Sequence, residues 1–174
     1  EDWWESEPTE IPYFNGKKMV ITFIDFTPST QHDFIQQADK ALSIFFKKGN
    51  KERIANTTPV YKNCIHFLEA VGYDKMDKPM WEMKDETQVW NFVSPSEIYI
   101  SHEDSNMYLA ISCECDWEQE HGLQLVFKNG DTLTKVSEQD GQVTEEYLGE
   151  EHGYPPLPSV PRNLFWERIK DFFR

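Results

Sequence analysis

Residues 108–148 read YLAISCECDWEQEHGLQLVFKNGDTLTKVSEQDGQVTEEYL, and a hydrophobic period of two within them decides the fold. Met107, Leu109, Ile111, Cys113, Cys115 and Trp117 alternate onto one face of a strand predicted over 106–117. Two further strands follow at 123–128 and 132–137. They are split by Asn129-Gly130, a dipeptide that readily takes the positive φ values of a tight hairpin turn. The three strands predict an antiparallel meander. A two-residue turn sets Lys128 opposite Asp131 and, counting back, His121 near Glu138. A three-residue loop with a bulge shifts that register by one and leaves the same residues at the rim. Asp116, Glu118, Glu120, His121, Glu138 and Asp140 therefore crowd one edge of the meander.

Upstream, the period of two returns from residue 97, with Ile98 and Ile100 on one face of a strand ending near His102. Earlier still, strands at 11–14 and 17–26 flank Asn15-Gly16, and Pro12 limits the first of them to a sheet edge. Helical spacing occupies the middle of the chain. Phe34, Ala38, Ala41, Leu42 and Phe45 recur at three- and four-residue steps behind a Thr30/Asp33 capping box, with Gly49 as a stop. A second helix starts at Thr58-Pro59, carries Val60, Cys64, Phe67, Leu68 and Val71, and ends at Gly72. A short third helix is expected over 85–93, and residues 73–84 read as irregular. The whole is an α+β fold in which an N-terminal hairpin and a C-terminal meander form an antiparallel sheet packed with two to three helices. Residues 1–10 read as a flexible acidic arm and 11–148 as the single domain. Residues 149–161 read as a Pro-rich linker. A final amphipathic helix over 162–174 shows Phe165, Ile169, Phe172 and Phe173 as its stripe.

Composition sorts the function classes. The chain of 174 residues is 39% hydrophobic with six Trp, seven Tyr and twelve Phe, enough to bury one core without staples. A net charge of -14 opposes binding to nucleic acid and to anionic membranes, and leaves basic proteins, cations and small molecules as partners. Three cysteines make no disulfide framework and suit a reducing compartment, so cytoplasm is the expected location. The chain starts at Glu1 without Met, which leaves a processed signal open. No run of 18 apolar residues is present.

No catalytic residue can be assigned. There is no G-x-S-x-G elbow and no glycine-rich phosphate loop, and His32, His66, His102 and His152 are scattered. Strand alternation sends Cys113 and Cys115 to the core, where a thiol behaves as a small hydrophobe. Two readings of the acidic rim remain. In the first, Asp116, Trp117, Glu118, Glu120, His121, Glu138, Asp140 and Tyr147 form a surface for a basic protein partner, charge steering the encounter and the two aromatics anchoring it. In the second, Asp116, Glu120, His121 and Asp140 hold a divalent metal, in a binding module or a metal-dependent hydrolase, since carboxylate oxygens and an imidazole suit Zn, Mn or Ca. Against the second, the spacing follows neither an EF-hand loop nor a zincin motif.

VWNFVSPSEIYI at 89–100, CECDWEQEHGLQLVFKNG at 113–130 and KVSEQDGQVTEEYL at 135–148 carry a resemblance. On these segments, and more weakly from YKNCIHFLEAVG at 61–72 back to the hairpin at 11–26, the chain resembles an uncharacterised bacterial family, a domain of unknown function of the DUF6985 kind. The resemblance spans roughly residues 11–148. It implies a bacterial, cytoplasmic, single-domain protein and brings no activity, cofactor or catalytic residue with it. Small acidic bacterial proteins of this size include immunity proteins that neutralise toxins, which makes an immunity-like role the analogy to weigh.

Overall fold

The computed structural model describes residues 4–24, 26 and 32–148. The linker and terminal helix expected at 149–174 lie outside them. Among the described residues seven strands form one sheet. β1 (Trp4–Glu5) and β2 (Thr9–Ile11) both pair antiparallel with β3 (Lys17–Phe23). Helices α1 (His32–Phe45), α2 (Asn50–Ala55), α3 (Thr57–Val71) and the single turn α4 (Lys78–Trp81) come next, followed by a 3-10 helix, Glu86–Phe92. β4 (Val93–Glu103), β5 (Asn106–Cys115), β6 (Leu123–Lys128) and β7 (Thr132–Ser137) complete the sheet in the order β1-β3-β4-β5-β6-β7.

β5 to β7 are the three-strand meander read from the alternation, and β4 adds to it antiparallel through β5. The β6–β7 register follows the longer-loop alternative. Lys128 faces Thr132, Gln124 faces Ser137, and a bulge sits between Val126 and Phe127. One pairing departs from the antiparallel expectation: β3 runs parallel to β4, joining hairpin and meander into one sheet. A parallel neighbour needs a long crossover, and the helices between β3 and β4 supply it.

The N-terminus corrects two expectations. Residues 4–5 and 9–10 of the supposed flexible arm are strand residues paired with β3. The first hairpin strand stops at Ile11, because Pro12 opens a 3-10 turn, Pro12–Phe14, whose first-turn N–H would be unpaired anyway. That turn drives Tyr13 inward. Its ring meets Phe14, Phe45, Trp90 and Phe127 at 5.0 to 6.3 Å, and its hydroxyl accepts from Asn56 Nδ2 at 3.1 Å. The first helix stops at Phe45, four residues before the Gly49 expected to end it. Gly49 instead caps the start of α2, in extended backbone, where its N–H donates to Glu52 Oε2 at 2.8 Å.

The main core lies between the helices and one sheet face. α1 contributes Phe34, Ala38, Ala41, Leu42 and Phe45, and α3 contributes Val60, Cys64 and Leu68. The sheet answers with Met107, Leu109, Ile111, Cys113, Leu123, Leu125 and Phe127. The β6–β7 turn reaches α1 so closely that a Cβ on Gly130 would overlap the Ala41 carbonyl, and its φ of 71° already requires glycine. A smaller cluster of Tyr108, Ala110, Val126 and Val143 occupies the opposite face.

Candidate functional site

β7 ends the sheet, and an edge strand left bare invites pairing with other chains. Here residues 138–147 fold back along it. Tyr147 bridges Lys135 in parallel, its N–H donating to Thr134 O at 2.8 Å and its carbonyl accepting from Val136 N at 2.7 Å. Lys135 fastens this strap. Because Val126 pairs with Lys135 on the face away from the helices, the lysine points toward the strap and is only 2% exposed. Its Nζ donates to Asp140 Oδ2 at 2.7 Å and to Gln142 O at 3.0 Å, with Glu145 Oε2 at 3.8 Å. Asp140 Oδ1 in turn accepts from Gln142 N at 2.9 Å and Gln124 Nε2 at 3.3 Å. A buried ammonium is tolerable only with such a set of acceptors.

Between this strap and α3 opens a groove of about 770 Å³. Its acidic lining is Glu118, Glu138, Asp140, Glu145 and Glu146, and Lys135 lies beneath them. Its apolar lining is Phe67, Ala70, Val71, Trp117 and Tyr147. Trp117 is 4% exposed and fixed by an indole N–H donated to Asn63 Oδ1 at 3.0 Å. Val71, at the end of α3, is 61% exposed. The β5–β6 loop closes the far end. There the φ of Gly122 is 64°, and Gln139 Nε2 passes over it to donate to Cys113 O at 3.0 Å, leaving no space for a Cβ.

Of the rim residues named from sequence, the groove gathers Trp117, Glu118, Glu138, Asp140 and Tyr147. Asp116, Glu120 and His121 are exposed and do not line it. Glu118 holds its own loop, one carboxylate oxygen accepting from Glu120 N at 2.9 Å and His121 N at 3.2 Å. The hairpin count set His121 near Glu138, and the backbone contact falls one residue later, Gln139 N donating to His121 O at 3.3 Å. Asp116, Glu120, His121 and Asp140 do not converge as ligands. Among the described residues no group of three or more His, Cys, Asp or Glu side chains is placed to hold a metal ion.

Sequence reasoning missed Lys135 and the α3 wall. The helical period puts Phe67 and Val71 on the core stripe with Val60, Cys64 and Leu68, but Phe67 is only partly buried and Val71 is 61% exposed, and both line the groove with Asn63 and Ala70. Lys135 gave no signal, because the bulge that sets its face is invisible in the letters. Cys113 and Cys115 are buried as the strand alternation predicts, and Cys64 as the helical stripe predicts. Burial pushes Cys64 and Cys115 up to about 12 and Cys113 higher still, so all three are protonated and inert at neutral pH.

The model of one family, a domain of unknown function (DUF6985), matches residues 1–144. The chain belongs to this family. The match covers the whole sheet of the DUF6985 domain and most of the strap, ending just before Glu145, Glu146 and Tyr147. No curated protein and no solved structure matches. Among the described residues of the DUF6985 domain no helix is long and apolar enough to cross a membrane.

Proposed function

We propose that this DUF6985 protein is a non-enzymatic binding module whose groove between α3 and the strap receives a basic segment of a partner protein. One observation carries the reading: five carboxylates line a single groove that also offers Phe67, Val71 and Tyr147 as apolar surface. Carboxylates around a concave surface focus the field and raise the encounter rate with cations, while the apolar floor gives contacts that outlast the encounter. Glu138, Glu145 and Glu146 are exposed and open to a partner, with Lys135 Nζ 3.8 Å from Glu145 and Lys128 Nζ 3.9 Å from Glu146. Within this reading an immunity-like role, blocking a basic toxin domain, fits the net charge of -14.

Calorimetric titration of the full chain with a ten-lysine peptide tests it. Binding should weaken at least tenfold on raising the salt from about 50 to 200 mM. It should weaken to a similar degree in the triple variant Glu138→Lys, Glu145→Lys, Glu146→Lys. Binding indifferent to those three positions would overturn the groove as the site.

A further inference from the structure

We infer that the groove's resident occupant is the chain's own segment 162–174, which competes in cis with any basic partner. The inference borrows the charge logic of the basic-partner reading but makes a separate claim about what fills the groove first. The path of the chain comes first. Tyr147 is itself a wall of the groove, and Leu148, the next residue, is 39% exposed, so the downstream chain departs from the groove's own lip.

Composition comes second. Residues 162–174, RNLFWERIKDFFR, carry Arg162, Arg168, Lys170 and Arg174 against only Glu167 and Asp171, a basic excess inside a chain of net charge -14. Phe165, Ile169, Phe172 and Phe173 recur at four, three and one residue steps, a pattern that gives one aromatic stripe flanked by cations. The groove is its complement: five carboxylates around Phe67, Ala70, Val71, Trp117 and Tyr147, with Val71 61% exposed.

Third is the tether, residues 149–161. Gly149 and Gly153 permit reversal of the chain, and Pro155, Pro156, Pro158 and Pro161 favour an extended run. At ~3.1 Å per residue a linker of this length reaches up to ~40 Å, ample for a site that begins at its own root. Such a tether holds its cargo at roughly millimolar effective concentration. A segment with an intrinsic affinity of only ~0.1 mM would then fill the groove about nine-tenths of the time and weaken an outside competitor about tenfold.

The test uses the full chain and a variant reversed at all four cations, Arg162→Glu, Arg168→Glu, Lys170→Glu and Arg174→Glu. In dilute wild-type protein, zero-length carbodiimide coupling should join Lys170 to Glu138, Glu145 or Glu146 within one chain, as mapped by mass spectrometry. In the reversed variant the affinity for the ten-lysine peptide should rise about tenfold. Absence of those cross-links, their appearance only between chains, or measurable peptide binding of equal affinity in both proteins would overturn the inference. The two claims separate cleanly. Peptide binding at the groove that is equal in both proteins removes the tail and keeps the basic-partner reading. Intrachain cross-links without peptide binding in either protein do the reverse.

Discussion

On the helix-covered face of the sheet, Tyr13, Phe45 and Phe127 meet ring to ring at 5.0 to 5.6 Å within a cluster that is apolar throughout. At the β7 edge, Lys135 is just as buried but sits among Asp140, Glu145 and a backbone carbonyl. The first region gains stability with every apolar atom it removes from water. The second gains little net stability, since the desolvation of its charges offsets most of their attraction, and gains instead a defined position for the strap. That division of labour separates what folds the domain from what shapes its groove.

Substitutions in the two regions should therefore differ in size and in kind. Phe127→Ala should cost about 3–5 kcal/mol by chemical denaturation, a cavity in a packed aromatic cluster. A value under about 1 kcal/mol would deny that this face carries the fold. The same face should show an alkaline weakness. Cys64 and Cys115 titrate near 12 when folded, raised by burial, against an ordinary value of 9.0. The unfolded chain thus loses these protons first, so stability that is complete below pH 9 should decline between pH 9 and 12, by up to about 1.4 kcal/mol per pH unit for each thiol. Denaturation midpoints at pH 8, 9.5 and 10.5 measure it, and a flat profile would contradict the burial. For the same reason the three thiols should resist aromatic disulfide reagents at pH 8 until the protein unfolds.

At the edge the effects are smaller and more local. Lys135→Met should lower stability by about 1–2 kcal/mol, because Asp140, 32% exposed, can recover water once its partner is gone. Its signature should be hydrogen exchange. The Val136 and Tyr147 amides, which tie the strap to β7, should exchange faster while those of β5 stay protected. Loss of protection across the whole sheet would merge the two regions into one. Least of all, Asp116→Asn and Glu120→Gln should leave stability within about 0.5 kcal/mol and peptide affinity within about twofold, as both lie outside the groove.

Much of the fold was legible because alternation and turn chemistry are local. β6 and β7 fell at 123–128 and 132–137 as read, and Asn129 and Gly130 take positive φ as the dipeptide requires. α3 spans Thr57–Val71 and ends before Gly72, whose φ is 88°. The parallel β3–β4 pairing was not legible, since a strand's own letters do not name its neighbour when the partner lies some 70 residues away. The site was half legible. Hairpin counting brought the loops at 118 and 138 together, because register propagates along a ladder. It could not show that Glu118 is turned inward to hold its own loop, or that Lys135 would rise into the acids on the strength of one bulge.

The central claim is that location, and not overall acidity, makes the groove a binding surface. Calorimetry with the ten-lysine peptide can compare two full-length variants of identical charge change. One reverses Glu138, Glu145 and Glu146 on the groove, and the other reverses the exposed Glu10, Asp39 and Glu103 away from it. The account predicts at least tenfold weaker binding for the first and less than threefold for the second, with both near wild-type stability. Equal losses in the two variants would show that the peptide reads net charge alone, and the groove would have no standing as a site.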